Sequence, residues 1–147
     1  MPVQLINLLL ALVISPACLG MDCSLAVVAN SSAGTDVLSP QEVRRIYLGA
    51  PYSSRDGTLY PLQNNSNPIL QEVFLQKILF MSRNAYKRIL ASRLEQEGFT
   101  EPPVYDDQEQ LLRRLKTDNR AITYLLESSL PTDGSLKILL SQPCEIM

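Results

Sequence analysis

The chain has 147 residues, which is room for one compact domain with a hydrophobic core but not for two. Thirteen Lys and Arg against fifteen Asp and Glu give a formal charge of −2, so no net positive field draws in nucleic acid or anionic lipid. Histidine is absent, which removes the side chain most often used as a general base near neutral pH and the commonest transition-metal ligand.

The first twenty residues have the composition of a secretion signal. Residues 5–14, "LINLLLALVI", form an apolar run as long as a signal-peptide core, and mostly small residues follow as "SPACLG". We predict a signal peptide at residues 1–20 and a mature domain at residues 21–147. An uncleaved N-terminal anchor and lipidation at Cys18 remain open as alternatives, since no Lys or Arg precedes the apolar run.

Two cysteines stand near the ends of the predicted mature domain. With residues 1–20 removed, Cys23 and Cys144 are the remaining thiols, in a compartment that permits disulfides. We predict that they pair, and closing so long a loop would add about 4 kcal/mol of stability. The other interpretation is two unrelated thiols near frayed termini.

The first part of the mature domain shows a strand, a capped helix and a second strand. Residues 24–30, "SLAVVAN", are almost continuously apolar, which is typical of a strand buried on both faces. From Ser39, "SPQE" supplies an N-cap, a first-turn proline and the glutamate of a capping box for a helix that ends at Gly49. An Asp56-Gly57 turn then leads to a strand at about residues 58–62.

The second part is predicted to contain three helices and then two strands. N-cap patterns open helices over about residues 67–80 and 82–98, and Asp106 with Glu109 has the capping-box spacing for a third, short helix. The segments "AITYLLE" and "SLKILL" are predicted strands separated by a turn. The order β α β α α α β β indicates a layered α/β domain.

Four features carry a resemblance to a known family: the capped helix ending "RRIYLG", the Asp56-Gly57 turn, the Asn67-Pro68 helix start followed by Phe74, and "AITYL". Over residues 25–140 the chain resembles the small phosphate ABC transporter substrate-binding-protein-like domains, relatives of the periplasmic phosphate-binding protein. The resemblance implies a type II periplasmic-binding-protein fold, in which two α/β lobes close over a solute. Since this chain is long enough for about one lobe, we expect a single three-layer lobe with a mixed sheet flanked by helices.

The resemblance also suggests a role for the polar stretch "QNNSN" at residues 63–67. In the phosphate binders the equivalent loop is rich in glycine and hydroxyl groups and follows an arginine, so that donors converge on the oxyanion. Here Gln63 stands where the arginine is expected, Ser66 and Asn67 fall on a glycine-serine pair, and Ile69 replaces a threonine. Two interpretations stay open: a weak polar or anionic site, or a helix cap in an ordinary polar turn.

A second loop is a candidate for the other side of such a site. It follows the first predicted strand, and ligands in open α/β sheets gather at the carboxyl ends of strands. An ordinary loop is the alternative interpretation. The candidate ligand-binding residues are therefore Asn30, Ser31, Ser32, Gln63, Asn65, Ser66 and Asn67.

Charged clusters elsewhere have simpler explanations. Arg83, Lys87, Arg88 and Arg93 share one predicted helix with acidic neighbours, which favours a solvated helix surface over an anion-binding face. Asp106, Asp107 and Glu109 are explained by helix capping, and their spacing is not that of a calcium loop. No nucleophile motif with a nearby base is present, so we expect no enzyme, no cofactor and no metal site.

These features predict an exported, non-catalytic domain in the periplasm of a Gram-negative envelope. Its expected function is to bind phosphate or a similar small oxyanion in ABC transport or nutrient sensing. The alternative is an interaction module that has lost solute binding and docks on an envelope sensor or transporter protein. No nucleic-acid partner is expected, and membrane contact is expected only if the N-terminal segment stays uncleaved or is lipidated.

Overall fold

A computed structural model describes residues 23–96 and 98–145, so the predicted signal peptide lies outside the described residues. The helices are α1 (Pro40–Tyr47), α2 (Pro68–Phe74), α3 (Arg83–Arg93) and α4 (Gln108–Thr117). The strands are β1 (Ser24–Asn30), β2 (Ser53–Ser54), β3 (Gly57–Thr58), β4 (Tyr60–Pro61), β5 (Gln63–Asn64), β6 (Val104–Tyr105), β7 (Ala121–Leu126) and β8 (Leu136–Pro143). A π-helical turn, Leu75–Leu79, continues α2, and a 3-10 turn, Glu127–Ser129, follows β7.

Within the described ranges, the main sheet has four strands in the order β4-β7-β1-β8. The first strand lies in its middle and is antiparallel to both neighbours, with Leu25 opposite Leu126 and Ala29 opposite Ile122 of β7. The edge strand β4 is parallel to β7. Consequently β1 runs in the opposite direction to both β4 and β7, and the sheet is mixed.

Both faces of β1 are buried, as its continuous apolar sequence predicts. Leu25, Val27 and Ala29 face the larger core, which α1, α2 and α3 cover. Ala26 and Val28 face a smaller core on the other side, built on Leu111 and Leu115 of α4. Because helices cover both faces of a mixed sheet, the expected three-layer α/β lobe is confirmed.

The predicted N-caps of the first three helices are confirmed. The Ser39 hydroxyl accepts a bond from the Glu42 N–H at 3.1 Å, and the Glu42 carboxylate accepts one from the Ser39 N–H at 3.2 Å. The bond from the Ser39 N–H lowers the pKa of Glu42, since it stabilises the charged carboxylate. The Asn67 oxygen accepts from the Ile69 and Leu70 N–H groups, and Ser82 accepts from the Ala85 N–H. Each cap satisfies N–H groups that have no partner within the helix.

Other predicted elements differ in detail from those observed. The strand expected at residues 58–62 is divided between β3 and β4, and α3 ends at Arg93 rather than near residue 98. The last helix is capped by Asp107, whose carboxylate accepts the Glu109 N–H at 2.9 Å, and not by Asp106. The helix expected to reach Phe80 widens into the π-helical turn, and Phe80 itself adopts a left-handed conformation with φ 54°.

The predicted disulfide partners are neighbours in the structure. Cys23 and Cys144 lie at bonding distance, with their Cα atoms 5.2 Å apart. The Cys144 N–H also donates to the Cys23 carbonyl at 3.0 Å. The pair therefore joins the start of β1 to the end of β8. Over the part of the chain that the structure describes, no helix combines the length and the apolar character needed to cross a bilayer.

Candidate functional site

The polar stretch at residues 63–67 is held mainly by bonds to the protein itself. Asn64 is fully buried, its amide N–H donates to the Tyr124 carbonyl of β7 at 2.9 Å, and its oxygen accepts from the Ser66 N–H and hydroxyl at 3.0 and 2.6 Å. Asn67 caps α2. Sequence reasoning left Asn64 out of the candidate residues, although it has the largest structural role in the segment.

This burial gives a testable prediction for the two adjacent asparagines. Asn64→Ala is expected to lower the free energy of unfolding by about 2–3 kcal/mol, because the buried Tyr124 carbonyl and the Ser66 donors lose their partner. Asn65→Ala is the matched control, since Asn65 is exposed and its side chain donates only to the Asp106 carboxylate, and it should cost less than about 1 kcal/mol. Urea unfolding measures both values. Equal losses would contradict a structural role specific to Asn64.

The loop after β1 lies at the other end of the sheet. The Asn30 amide donates to the Leu115 and Lys116 carbonyls at 3.2 and 2.9 Å, so it closes the C-terminal end of α4, and its oxygen accepts the Ser32 N–H. The Ser31 N–H donates to the Ser135 carbonyl. Since β1 is antiparallel to β7, Asn30 leaves the sheet beside the start of β7, whereas Asn64 bonds near its other end. The expectation that both loops meet assumed parallel strands, and the structure does not bring them together.

Two of the candidate residues do line a pocket. It has a volume of 260 Å³ and lies between β5, α2, α3 and β6. The amide side chains of Gln63 and Asn65 form part of its wall, whereas Ser66, Asn67 and the Asn30 loop do not. Each of these amides already donates one bond, to the Pro102 carbonyl and to Asp106 respectively, and each –NH₂ group carries a second N–H.

Basic side chains of α3 complete the polar wall. Arg83 and Lys87 stand one helical turn apart and both line the pocket. The Arg83 guanidinium donates to the Gln71 side chain at 2.7 Å and lies 3.5 Å from the Glu72 carboxylate, and it is 45% exposed. Arg83 and Lys87 are exposed, as the solvated-surface interpretation expects, and both also line the pocket, while Arg88 is exposed outside it. Their spacing of four on one helix is the signal that could have identified them.

The pocket floor is apolar and rigidly packed. Phe74, Leu75 and Leu90 form it, and the Phe74 ring stacks on Tyr124 with centroids 3.8 Å apart and planes 8° from parallel. Tyr47 meets the same Phe74 ring edge-on at 4.7 Å. This cluster fixes the position of the floor, since aromatic contacts of these kinds add to the burial energy.

Two tyrosines connect the floor to the charged wall. Burial raises the pKa of both Tyr86 and Tyr124, so both phenols stay neutral in the physiological range. The Tyr86 hydroxyl donates to the Tyr47 carbonyl at 2.9 Å. The positive charge of Arg83 partly offsets the rise in the pKa of Tyr124. The negative charge of Glu101, another lining residue, adds to the rise in the pKa of Tyr86. Since Arg83, Lys87 and Glu101 all line the pocket, it carries charges of both signs.

Comparisons with known proteins give similarity at the level of the fold. No protein-family model matches the chain, and no curated protein matches it. A protein from Clostridium perfringens, assigned as a phosphate ABC transporter substrate-binding protein and solved with bound phosphate, is similar with a TM-score of 0.61 and 13% identity. An ABC-type phosphate transport receptor from Vibrio cholerae is similar with a TM-score of 0.59 and 13% identity.

The matched regions cover most of this chain but only part of the solved structures. They take in 82% and 80% of this chain, and 53% and 45% of the two solved chains, so this chain spans about half their length. At 13% identity the likeness shows the fold alone, and that fold agrees with the expected one. Both solved proteins are described as transport or binding proteins rather than enzymes.

Proposed function

We propose that the chain is an exported, non-catalytic binding domain whose ligand is phosphate or a similar small oxyanion, held in the pocket beside Arg83 and Lys87. One observation carries the proposal: two cations of α3 and two amides of residues 63–65 line the same pocket. Its fold likeness to two phosphate-transport proteins supports a role in solute transport or sensing. Cys23 and Cys144, which lie at disulfide-bonding distance, and the predicted signal peptide support a periplasmic location.

The chemistry of the wall suits an oxyanion better than a neutral solute. A guanidinium presents a planar fork of donors that matches the paired oxygens of phosphate or carboxylate, and Lys87 adds a second full charge. The apolar floor below them excludes water from one side and strengthens the attraction. A single lobe covers the ligand from one side only, so we expect affinities in the micromolar to millimolar range.

Calorimetric titration of the purified protein with phosphate and sulfate tests the proposal. Saturable heat is expected from the unmodified protein, and the double variant Arg83→Ala/Lys87→Ala should weaken binding by about tenfold or more, since two charges are removed. Arg88→Ala is the matched control, because it removes an exposed charge of the same helix outside the pocket. Absence of heat with every anion, or equal losses in the double variant and the control, would overturn the assignment.

One feature favours the alternative function of an interaction module. Ile69 and Phe80 are 68% and 71% exposed, and Phe80 borders a surface groove of 770 Å³ that also meets Arg83. Large exposed apolar side chains beside a groove are typical of protein-docking surfaces. A protein that gives no heat with any anion would fit this alternative, with an envelope sensor or transporter as the partner.

A further inference from the structure

An unused negative charge in the pocket points to the class of ligand. Glu101 lines the pocket together with Arg83 and Lys87, but within the described ranges it forms an ion pair with neither of them. Arg83 is instead paired with Glu72, outside the pocket wall. Because Glu101 shares the cavity with two basic residues but pairs with neither, its carboxylate is available to a ligand in this pocket.

The position of Glu101 is fixed by the backbone that follows it. The Gln63 amide side chain donates to the Pro102 carbonyl at 2.9 Å, and the Gln63 backbone N–H donates to the Pro103 carbonyl at 2.8 Å. Two prolines in succession further restrict this segment. Glu101 therefore lines the pocket from an exposed segment just before β6 that these bonds and the two prolines restrain.

The same pocket also has an apolar part. Phe74, Leu75 and Leu90 line it, and the volume of 260 Å³ exceeds what one five-atom oxyanion fills. A bare phosphate beside Arg83 would occupy the cationic part, while the negative charge of Glu101 would oppose it. A ligand that adds a carbon chain and a positive group would cover the apolar floor and convert this repulsion into attraction.

We propose that the pocket binds a small zwitterion, in which an oxyanion group held by Arg83 and Lys87 is joined by a short carbon chain to an ammonium group held by Glu101. This inference rests on the proposed function, because it uses the same cationic wall. It goes further by naming an amine-bearing oxyanion rather than phosphate itself. Gln63 then has a second role, since it both lines the pocket and positions the segment that carries Glu101.

A matched pair of ligands tests the inference. The purified protein is titrated calorimetrically with aminomethyl-, 2-aminoethyl- and 3-aminopropylphosphonate, and with the alkylphosphonate of each chain length, which lacks the amine. At least one amine-bearing ligand is expected to bind about tenfold more tightly than its partner, as one added charge contact would give. Glu101→Gln should abolish this preference. Glu95→Gln, a change at an exposed carboxylate outside the pocket, should retain it.

The possible outcomes separate the two proposals. If phosphate and the alkylphosphonates bind but no amine improves affinity, the zwitterion inference is overturned and the oxyanion site stands. If the preference survives in Glu101→Gln, the role of Glu101 is overturned. If no anion of either series binds, both proposals fail. Circular dichroism of each variant confirms that a lost preference does not come from loss of the fold.

Discussion

Replacing both Cys23 and Cys144 with alanine is expected to lower the free energy of unfolding by about 4–5 kcal/mol. The two residues are 121 positions apart, so a bond between them removes a large part of the conformational freedom of the unfolded chain. In the folded state it joins β1 to β8, which already bond at the Cys144 N–H. Denaturant unfolding of the purified protein measures the loss.

The same experiment tests whether the bond forms. A reducing agent should destabilise the unmodified protein by the amount that the double alanine variant loses, and it should have no effect on that variant. Mass spectrometry of the non-reduced protein should show both cysteines blocked to alkylation. Two free thiols, or stability that does not respond to reductant, would contradict the predicted pairing and weaken the case for an oxidising compartment.

Phe74→Ala is expected to destabilise the fold by about 3–5 kcal/mol and to remove the floor of the pocket. Phe74 is 1% exposed, its ring stacks on Tyr124, and Tyr47 packs against its edge. Truncation would leave a cavity bounded by two aromatic rings. The Tyr47 hydroxyl is bonded to the Leu62 carbonyl and the Tyr124 backbone lies in β7, so little collapse can fill it. Urea unfolding gives the loss of stability, and calorimetry with phosphate gives the accompanying loss of affinity.

Phe80→Ala provides the control on the same helical segment. Phe80 is 71% exposed, so the same change of side chain should alter the free energy of unfolding by no more than about 0.5 kcal/mol. It should also leave anion affinity unchanged, since Phe80 does not line the 260 Å³ pocket. Similar losses of stability in the two variants would show that the aromatic cluster does not hold the core as the geometry indicates.

The features that sequence analysis predicted correctly are those made by neighbouring residues. The caps at Ser39, Asn67 and Ser82 each form within a few positions, and the burial of β1 follows from its own apolar sequence. Asp106 and Asp107 show where such reasoning ends. Both stand at positions suited to capping α4. In the structure Asp107 caps it, and Asp106 instead accepts a bond from Asn65, which is distant in sequence.

The candidate site depended on packing that the sequence does not display. Gln63, Arg83 and Glu101 come from three separate segments, and only the tertiary fold brings them to one pocket. The direction of β1 also could not be read from the sequence. Ligands gather at the carboxyl ends of strands in parallel sheets, but both neighbours of β1 are antiparallel to it. Taken on their own, the charged residues of α3 predict a solvated helix surface, although Arg83 and Lys87 also line a pocket.

The central place of β1 has a consequence for how the molecule reaches its native state. β1 begins at Ser24, whereas its partners β7 and β8 follow about a hundred residues later in the sequence. Its ladder cannot form while the C-terminal strands are still on the ribosome. Such distant pairing slows folding, because a loop of about a hundred residues must close before the ladder can form.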